Sequence, residues 1–254
     1  MIPEEELLFK RFLELANRSL DSHYFIFTDF LGLKERDIFQ KAMASIHKVR
    51  YDSSGGVPGC ERIMIRFGDA DIIGCSQDFP ILCIKISPKS PKYAEKLTHR
   101  DYLGSILALG IERCKLGDII IREGDAYLFA EEGIGSFVCE SLEKVRHTDV
   151  KCQIISTEEL PTGELFKTRT VRIQANGERI DAVIAKVFSL SRDDSSVLFQ
   201  KGLVFIDGRE CQSPSKIPKA GETVSVRGYG RFVYRGYDTL TRKGKKNIEV
   251  ELFV

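Results

Sequence analysis

Three things are missing from these 254 residues, and each absence removes a class of function. No apolar run approaches the roughly 18–20 residues that cross a bilayer as a helix, so no membrane association is expected. The start, MIPEEELLFKRF, is acidic where a secretory leader is basic, and cytoplasmic residence follows as the expectation. The seven cysteines stand at 60, 75, 83, 114, 139, 152 and 211, and no two of them share a C-x-x-C spacing. That argues against a zinc site or a disulfide framework. No metal and no other cofactor is expected. Apolar content of 43% and charged content of 30% are those of an ordinary globular chain, and the length suits two or three domains.

Charge is present but unevenly placed. Residues 1–166 carry 21 Lys+Arg and 27 Asp+Glu, whereas residues 167–254 carry 17 and 10. A basic C-terminal third on a mildly acidic body points to a polyanionic partner for that third.

Residues 1–76 read as an N-terminal α/β region. Leu7, Leu8, Phe12 and Leu15 line one side of a helix over Glu4 to Arg18, and a second helix runs from Lys34 to Ala44. The Gly-rich run Ser53 to Gly59 lacks the G-x-x-x-x-G-K-[ST] spacing of a phosphate loop and reads as a flexible hairpin. Arg62 and Arg66 beyond it stand where they could touch phosphates. Residues 77–160 alternate more clearly. A strand at 81–88, a helix from Tyr93 to Leu109, two strands around Glu123-Gly124-Asp125, a helix from Ile134 to Val145 and a strand from Lys151 to Ser156 give a β-α-β-β-α-β order. That order is ferredoxin-like or RNA-recognition-motif-like, although AYLFAEE is no RNP1 sequence. Glu158 to Gly163 reads as a linker.

Residues 164–254 open with a strand, Lys167 to Ala175. Ile180, Val183, Ile184, Val187 and Phe188 then share a helical face, and Ser191 fits the N-cap of a second helix with Asp193 and Asp194 in its first turn. Lys201-Gly202 closes that helix, and Asp207-Gly208 signals a two-residue hairpin. Further on, arginines and lysines from Arg227 to Lys246 are interleaved with Tyr229, Phe232, Tyr234 and Tyr237. That mixture suits RNA, or else a solvated ribbon whose rings pack inward.

Residues 179–227 resemble the S4 RNA-binding domain. The matching features are Arg179-x-Asp181, Ser191-Arg192, Lys201-Gly202, Val204-x-Ile206-Asp207-Gly208, and Gly221-Glu222 before Val224-x-Val226. Asp207 departs from the asparagine common in that family. The whole chain is similar to the YlmH family of bacterial S4-domain proteins, through LTHRDYLGSILALGIERCKLGDIII (97–121) and, more loosely, GGVPGCER (55–62).

The resemblance implies an α+β fold of three parts: an N-terminal α/β domain (1–76), an RRM-like domain (77–160) and an S4 domain with a basic β-ribbon extension (164–254). It implies a ribosome-associated RNA-binding protein, with rRNA on the large subunit and tRNA as partners. Ribosome quality control or rescue is the implied setting, with a link to cell division; a monomer is expected. The implied contacts are Arg179, Ser191, Arg192, Gln200, Lys201, Arg209 and Lys216. Arg227, Arg231, Lys243, Lys245 and Lys246 extend them, and Arg100 adds a contact in the middle domain. Asp181 reads as a salt-bridge partner for a nearby arginine, and Ser191 equally as a pure helix cap.

The alternative is an RNA-modifying enzyme, because S4 domains are often appended to pseudouridine synthases and methyltransferases. The chain has no G-R-L-D-type motif, and its nearest approach to a cofactor loop is the short GIGS at 133–136. His99-Arg100-Asp101 invites a general-base reading, yet neighbours on a helix point about 100° apart. No catalytic residue is assigned.

Overall fold

The computed structural model describes residues 3–46, 49–161, 165–242 and 244–253. Lys243 and residues 162–163 of the expected linker lie outside them. Helix and strand are mixed throughout, an α+β protein, and the chain divides into two compact units, Met1–Leu165 and Phe166–Val254.

The first unit begins with α1 (Pro3–Ser22), β1 (Ile26–Phe27), α2 (Leu33–Met43), β2 (Tyr51–Ser54), β3 (Met64–Phe67) and the one-turn α3 (Ala70–Ile73). The short sheet β1-β3-β2 is antiparallel. The apolar stripes of α1 and α2 meet in a core of Phe12, Leu15, Ile38, Phe39, Ile65 and Phe67, with the Phe12 and Phe39 rings edge-to-face at 5.4 Å. Burying each such side chain contributes on the order of 1.5–3 kcal/mol.

A second layer follows: β4 (Ile81–Pro88), α4 (His99–Leu107), β5 (Leu116–Arg122), β6 (Asp125–Glu131), α5 (Gly135–Ser141), β7 (Lys144–Val145) and β8 (Thr148–Ile155). The strand order β5-β6-β4-β8-β7, antiparallel throughout, is the split β-α-β arrangement expected from the element order, with one short edge strand added. Two helices are shorter than the periodicity predicts. Pro91–Tyr93 forms a separate 3-10 turn, and α4 starts only at His99, where Thr98 and Asp101 make a reciprocal capping box. After α5 ends at Ser141, Lys144 and Val145 pair with β8 as a strand.

The alternation of β6 decides what this layer can do. Ala126, Leu128 and Ala130 face Tyr102, Ile106 and Val138 in the helix-side core, so Tyr127 and Phe129 face the other way. Over β5 and β6 that second face is covered from within the unit. Gly56, at φ +100°, sits so close that a Cβ there would lie 2.3 Å from Phe129 Cδ1, and one on Gly117 would lie 2.8 Å from the Phe30 ring. The loop expected to be a flexible hairpin is therefore packed onto the sheet.

The second unit contains β9 (Thr168–Ala175), α6 (Ile180–Val187), α7 (Arg192–Gln200), β10 (Val204–Ile206), β11 (Arg209–Glu210), β12 (Thr223–Val226), β13 (Gly230–Leu240) and β14 (Lys246–Phe253). Its strands form one antiparallel sheet, β11-β10-β12-β13-β14-β9. The two helices cover one face, burying Ile180, Val183, Ile184, Leu198 and Phe199 against Val204, Val224, Phe232, Ile248 and Val250. Asp207 and Gly208 both take positive φ, +48° and +79°, as a two-residue primed hairpin turn requires.

Candidate nucleic-acid interface

Two arginines that the sequence offers as phosphate contacts are internal. Arg62 donates from Nε to the Leu116 carbonyl at 2.8 Å and from Nη2 to the Phe30 carbonyl at 2.8 Å. The Asp118 carboxylate accepts the backbone N–H groups of Glu61 and Arg62 at 2.6 and 3.1 Å. Arg113 adds a donation to the Leu116 carbonyl at 2.7 Å. Burial pulls both guanidinium pKa values down, that of Arg113 to about 10. Arg66 donates to the Gln77 carbonyl and to Asp52 at 2.6 Å while lying over the Phe25 and Phe79 rings. These cations stitch the N-terminal layer together and to the five-stranded sheet, their donors turned to acceptors of the fold.

His99 and Asp101 are not paired either. The Asp101 carboxylate accepts from the Thr98 backbone N–H at 2.8 Å and its hydroxyl at 2.7 Å, with Arg146 at 3.3 Å. Its role is a helix cap. Arg100, next to it, is exposed.

In the second unit, the start of α6 gathers several of the expected contacts. The N–H of Ile180 donates to the Lys216 carbonyl at 2.8 Å, and Ser195 Oγ donates to the Asp181 carbonyl at 2.8 Å. Arg179, Lys216 and the first turn of α7 with Arg192 are thereby drawn to one place. Arg179 is bidentate to Asp181, at 3.1 and 2.9 Å, the pairing expected for Asp181. Ser191 caps α7: its Oγ accepts the Asp194 N–H at 3.0 Å and donates to the Asp194 carboxylate at 2.6 Å. Gln200 and Lys201 end the helix, nine residues or about 13 Å away, and the Arg227 N–H donates to the Leu203 carbonyl at 2.9 Å beside them. Arg209 stands exposed on β11.

The remaining expected contacts lie elsewhere in this unit. Phe232 and Tyr234 point into the helix-side core, so Arg231 faces the opposite side of the sheet, where its guanidinium lies 4.8 Å from the Phe166 ring centre and 4.2 Å from that of Phe253. Lys246 is paired with Glu178 and stands 3.9 Å from the Tyr237 ring centre. Lys245 is exposed at the β13–β14 tip. Of the four aromatics, Phe232 and Tyr234 are buried, while Tyr229 and Tyr237 are about half exposed.

Electrostatics sorts these cations better than position does. Arg172–Glu249, Arg179–Asp181, Arg235–Glu251 and Lys246–Glu178 are intramolecular pairs. Among the described residues, no carboxylate is paired with the exposed Arg192, Lys201, Lys216 or Arg227. Sequence reasoning misses this distinction because pairing partners such as Arg235 and Glu251 are distant in the chain and meet only through strand register.

Comparison with known proteins places the chain. Residues 75–159 match a family model described as "Putative RNA-binding domain in YlmH". A Bacillus subtilis (strain 168) protein named "Ribosome-associated protein quality control protein P2" is 28% identical over 230 residues, covering 88% of this chain and 86% of that protein. A solved structure, "Cell division protein ylmH from Streptococcus pneumoniae", superposes with a TM-score of 0.50 at 21% identity, covering 63% of this chain and 96% of that one. At that identity the likeness is one of fold. The domain match and the near full-length relative point the same way: the chain is similar to proteins of the YlmH family.

Proposed function

We propose that this protein binds structured RNA on the ribosome and does so without chemistry of its own. The observation that carries the reading is the row of exposed cations along α7 and its flanks, Arg192, Lys201, Lys216 and Arg227, none with a described carboxylate partner. Unneutralised cations on a fixed scaffold suit phosphate positioning. The name of the Bacillus subtilis relative and the RNA-binding description of the middle domain support the same reading.

In finer terms, residues 164–254 act as an S4 domain, residues 77–160 as an RRM-like domain and residues 1–76 as the layer that braces it. The target is rRNA of the large subunit, with tRNA beside it, bound by a monomer in the cytoplasm during rescue of stalled ribosomes. The Streptococcus pneumoniae protein of like fold is named for cell division, which supports a link to division as well.

Co-sedimentation with purified ribosomal subunits tests the reading. Wild-type protein is expected to pellet with the large subunit, and Arg192→Ala with Lys201→Ala is expected to release it at moderate salt. Methyl transfer or uridine isomerisation by the purified protein on rRNA would overturn the non-enzymatic reading.

A further inference from the structure

We infer that residues 88–100 form a second RNA contact, in which Tyr93 stacks on an unpaired base while Lys89, Lys92, Lys96 and Arg100 meet the flanking phosphates. This rests on the proposed RNA-binding function and assigns it a site that is separate from α7.

Charge singles out the segment first. Residues 75–159 carry 11 Lys+Arg and 14 Asp+Glu, yet residues 87–100 hold four Lys+Arg and a single acid, Glu95. Four of the eleven cations of an acidic domain thus fall on one connection, between β4 and the first turn of α4. The carboxylates around it are engaged: Asp101 by Thr98 and Arg146, and Asp149 by Lys144 at 3.5 Å. Among the described residues none of Lys89, Lys92, Lys96 and Arg100 is paired with a carboxylate, and all four are exposed.

Tyr93 is the second observation. It is 81% exposed, the highest value among the large hydrophobic side chains of the described residues. An aromatic ring in that position gains nothing from the core, whereas a ring among cations offers a stacking platform for a base.

The segment is also held in shape. Its backbone is tied to the β7–β8 hairpin, Lys89 N–H to the Asp149 carbonyl at 2.9 Å and Glu95 N–H to Thr148 Oγ1 at 3.2 Å. The Tyr93 N–H closes the turn on the Ser90 carbonyl at 3.1 Å, and Pro88 and Pro91 restrict φ on either side. A fixed platform loses little conformational entropy on binding.

The aromatic part of the sheet face is closed. In RNA-recognition motifs the bases stack on aromatics of the open sheet. Here Phe129 lies against the Gly56 loop and Tyr127 is buried beside it, so neither ring is open to a base.

Fluorescence anisotropy of the full chain with a labelled oligouridine, and separately with a labelled RNA duplex, tests the inference. Tyr93→Ala is expected to weaken oligouridine binding at least about fivefold, with duplex binding unchanged and Tyr93→Phe close to wild type. Replacing Lys89, Lys92 and Lys96 by Gln is expected to lower the salt slope for oligouridine by about two. If Tyr93→Ala binds oligouridine as wild type does, or if Tyr93→Phe loses as much as Tyr93→Ala, the inference is wrong. Loss of duplex binding in Arg192→Gln with Lys201→Gln alongside an unaffected Tyr93→Ala would leave the proposed function standing and remove this site alone. A wild-type protein that binds neither RNA overturns both.

Discussion

Asp118 on β5 accepts the backbone N–H of Arg62 at 3.1 Å, and the Arg62 guanidinium in turn reaches the Leu116 carbonyl two residues before Asp118. The segment between β2 and β3 is thus bound to the five-stranded sheet through polar groups that water scarcely reaches. Replacing Arg62 takes the donor from the Phe30 carbonyl and leaves the Leu116 carbonyl to Arg113 alone. Arg62→Met is expected to cost about 2–3 kcal/mol of stability in the first unit. Urea unfolding monitored on residues 1–165 checks this; an unchanged midpoint would mean that water replaces the guanidinium without loss.

Gly56 is the apolar counterpart of that contact. Gly56→Ala adds a Cβ 2.3 Å from the Phe129 ring at a backbone φ of +100°. The expected loss is about 1–3 kcal/mol, read as a lowered thermal midpoint. Combining it with Phe129→Leu should recover part of the loss, because the steric component depends on the ring.

For RNA, the unpaired cations should matter more than the paired ones. Arg192→Gln and Lys201→Gln are each expected to reduce the salt slope of RNA affinity by roughly 0.7–0.9. Arg231→Gln, whose guanidinium lies between Phe166 and Phe253, should change affinity little and lower stability instead. Titrations at several salt concentrations separate the two; equal slopes for all three variants would remove the distinction.

Glu178 gives the second unit a pH dependence. Burial works to raise its pKa, but hydrogen bonds from Lys246 and Tyr234 outweigh burial and hold the carboxyl below its ordinary 4.5. A depressed folded-state value stabilises the protein fully above pH 4.5, and that stabilisation is lost as pH falls through the lowered value. Glu178→Gln is expected to cost about 1–2 kcal/mol at neutral pH, with the difference from wild type vanishing in acid. Unfolding curves of residues 166–254 at neutral and acid pH check the sign.

Local chemistry makes most elements of the fold legible. The Ile180–Val187 stripe, the Ser191 cap and the Asp207-Gly208 turn act within a few residues of themselves, so spacing alone reveals them. The strand at Ile81–Pro88 is as clear, because alternation and a bounding proline are local signals. The start of α4 is hidden by contrast, since the apolar periodicity continues past the point where Pro91 and the Thr98 cap interrupt the helix.

The candidate site is legible only as a set of residue types. That the C-terminal third is basic, and that its residues 179–227 resemble the S4 domain, lies in the sequence itself. Which cations remain available was decided by the tertiary structure: strand register brought Glu251 to Arg235 and Glu249 to Arg172, and the turn before α6 brought Glu178 to Lys246. The same holds for Arg62, whose acceptors at Phe30 and Leu116 are distant in the chain. A charge announces itself in the sequence, but its partner is chosen by packing between residues tens of positions apart, and only the folded chain brings those together.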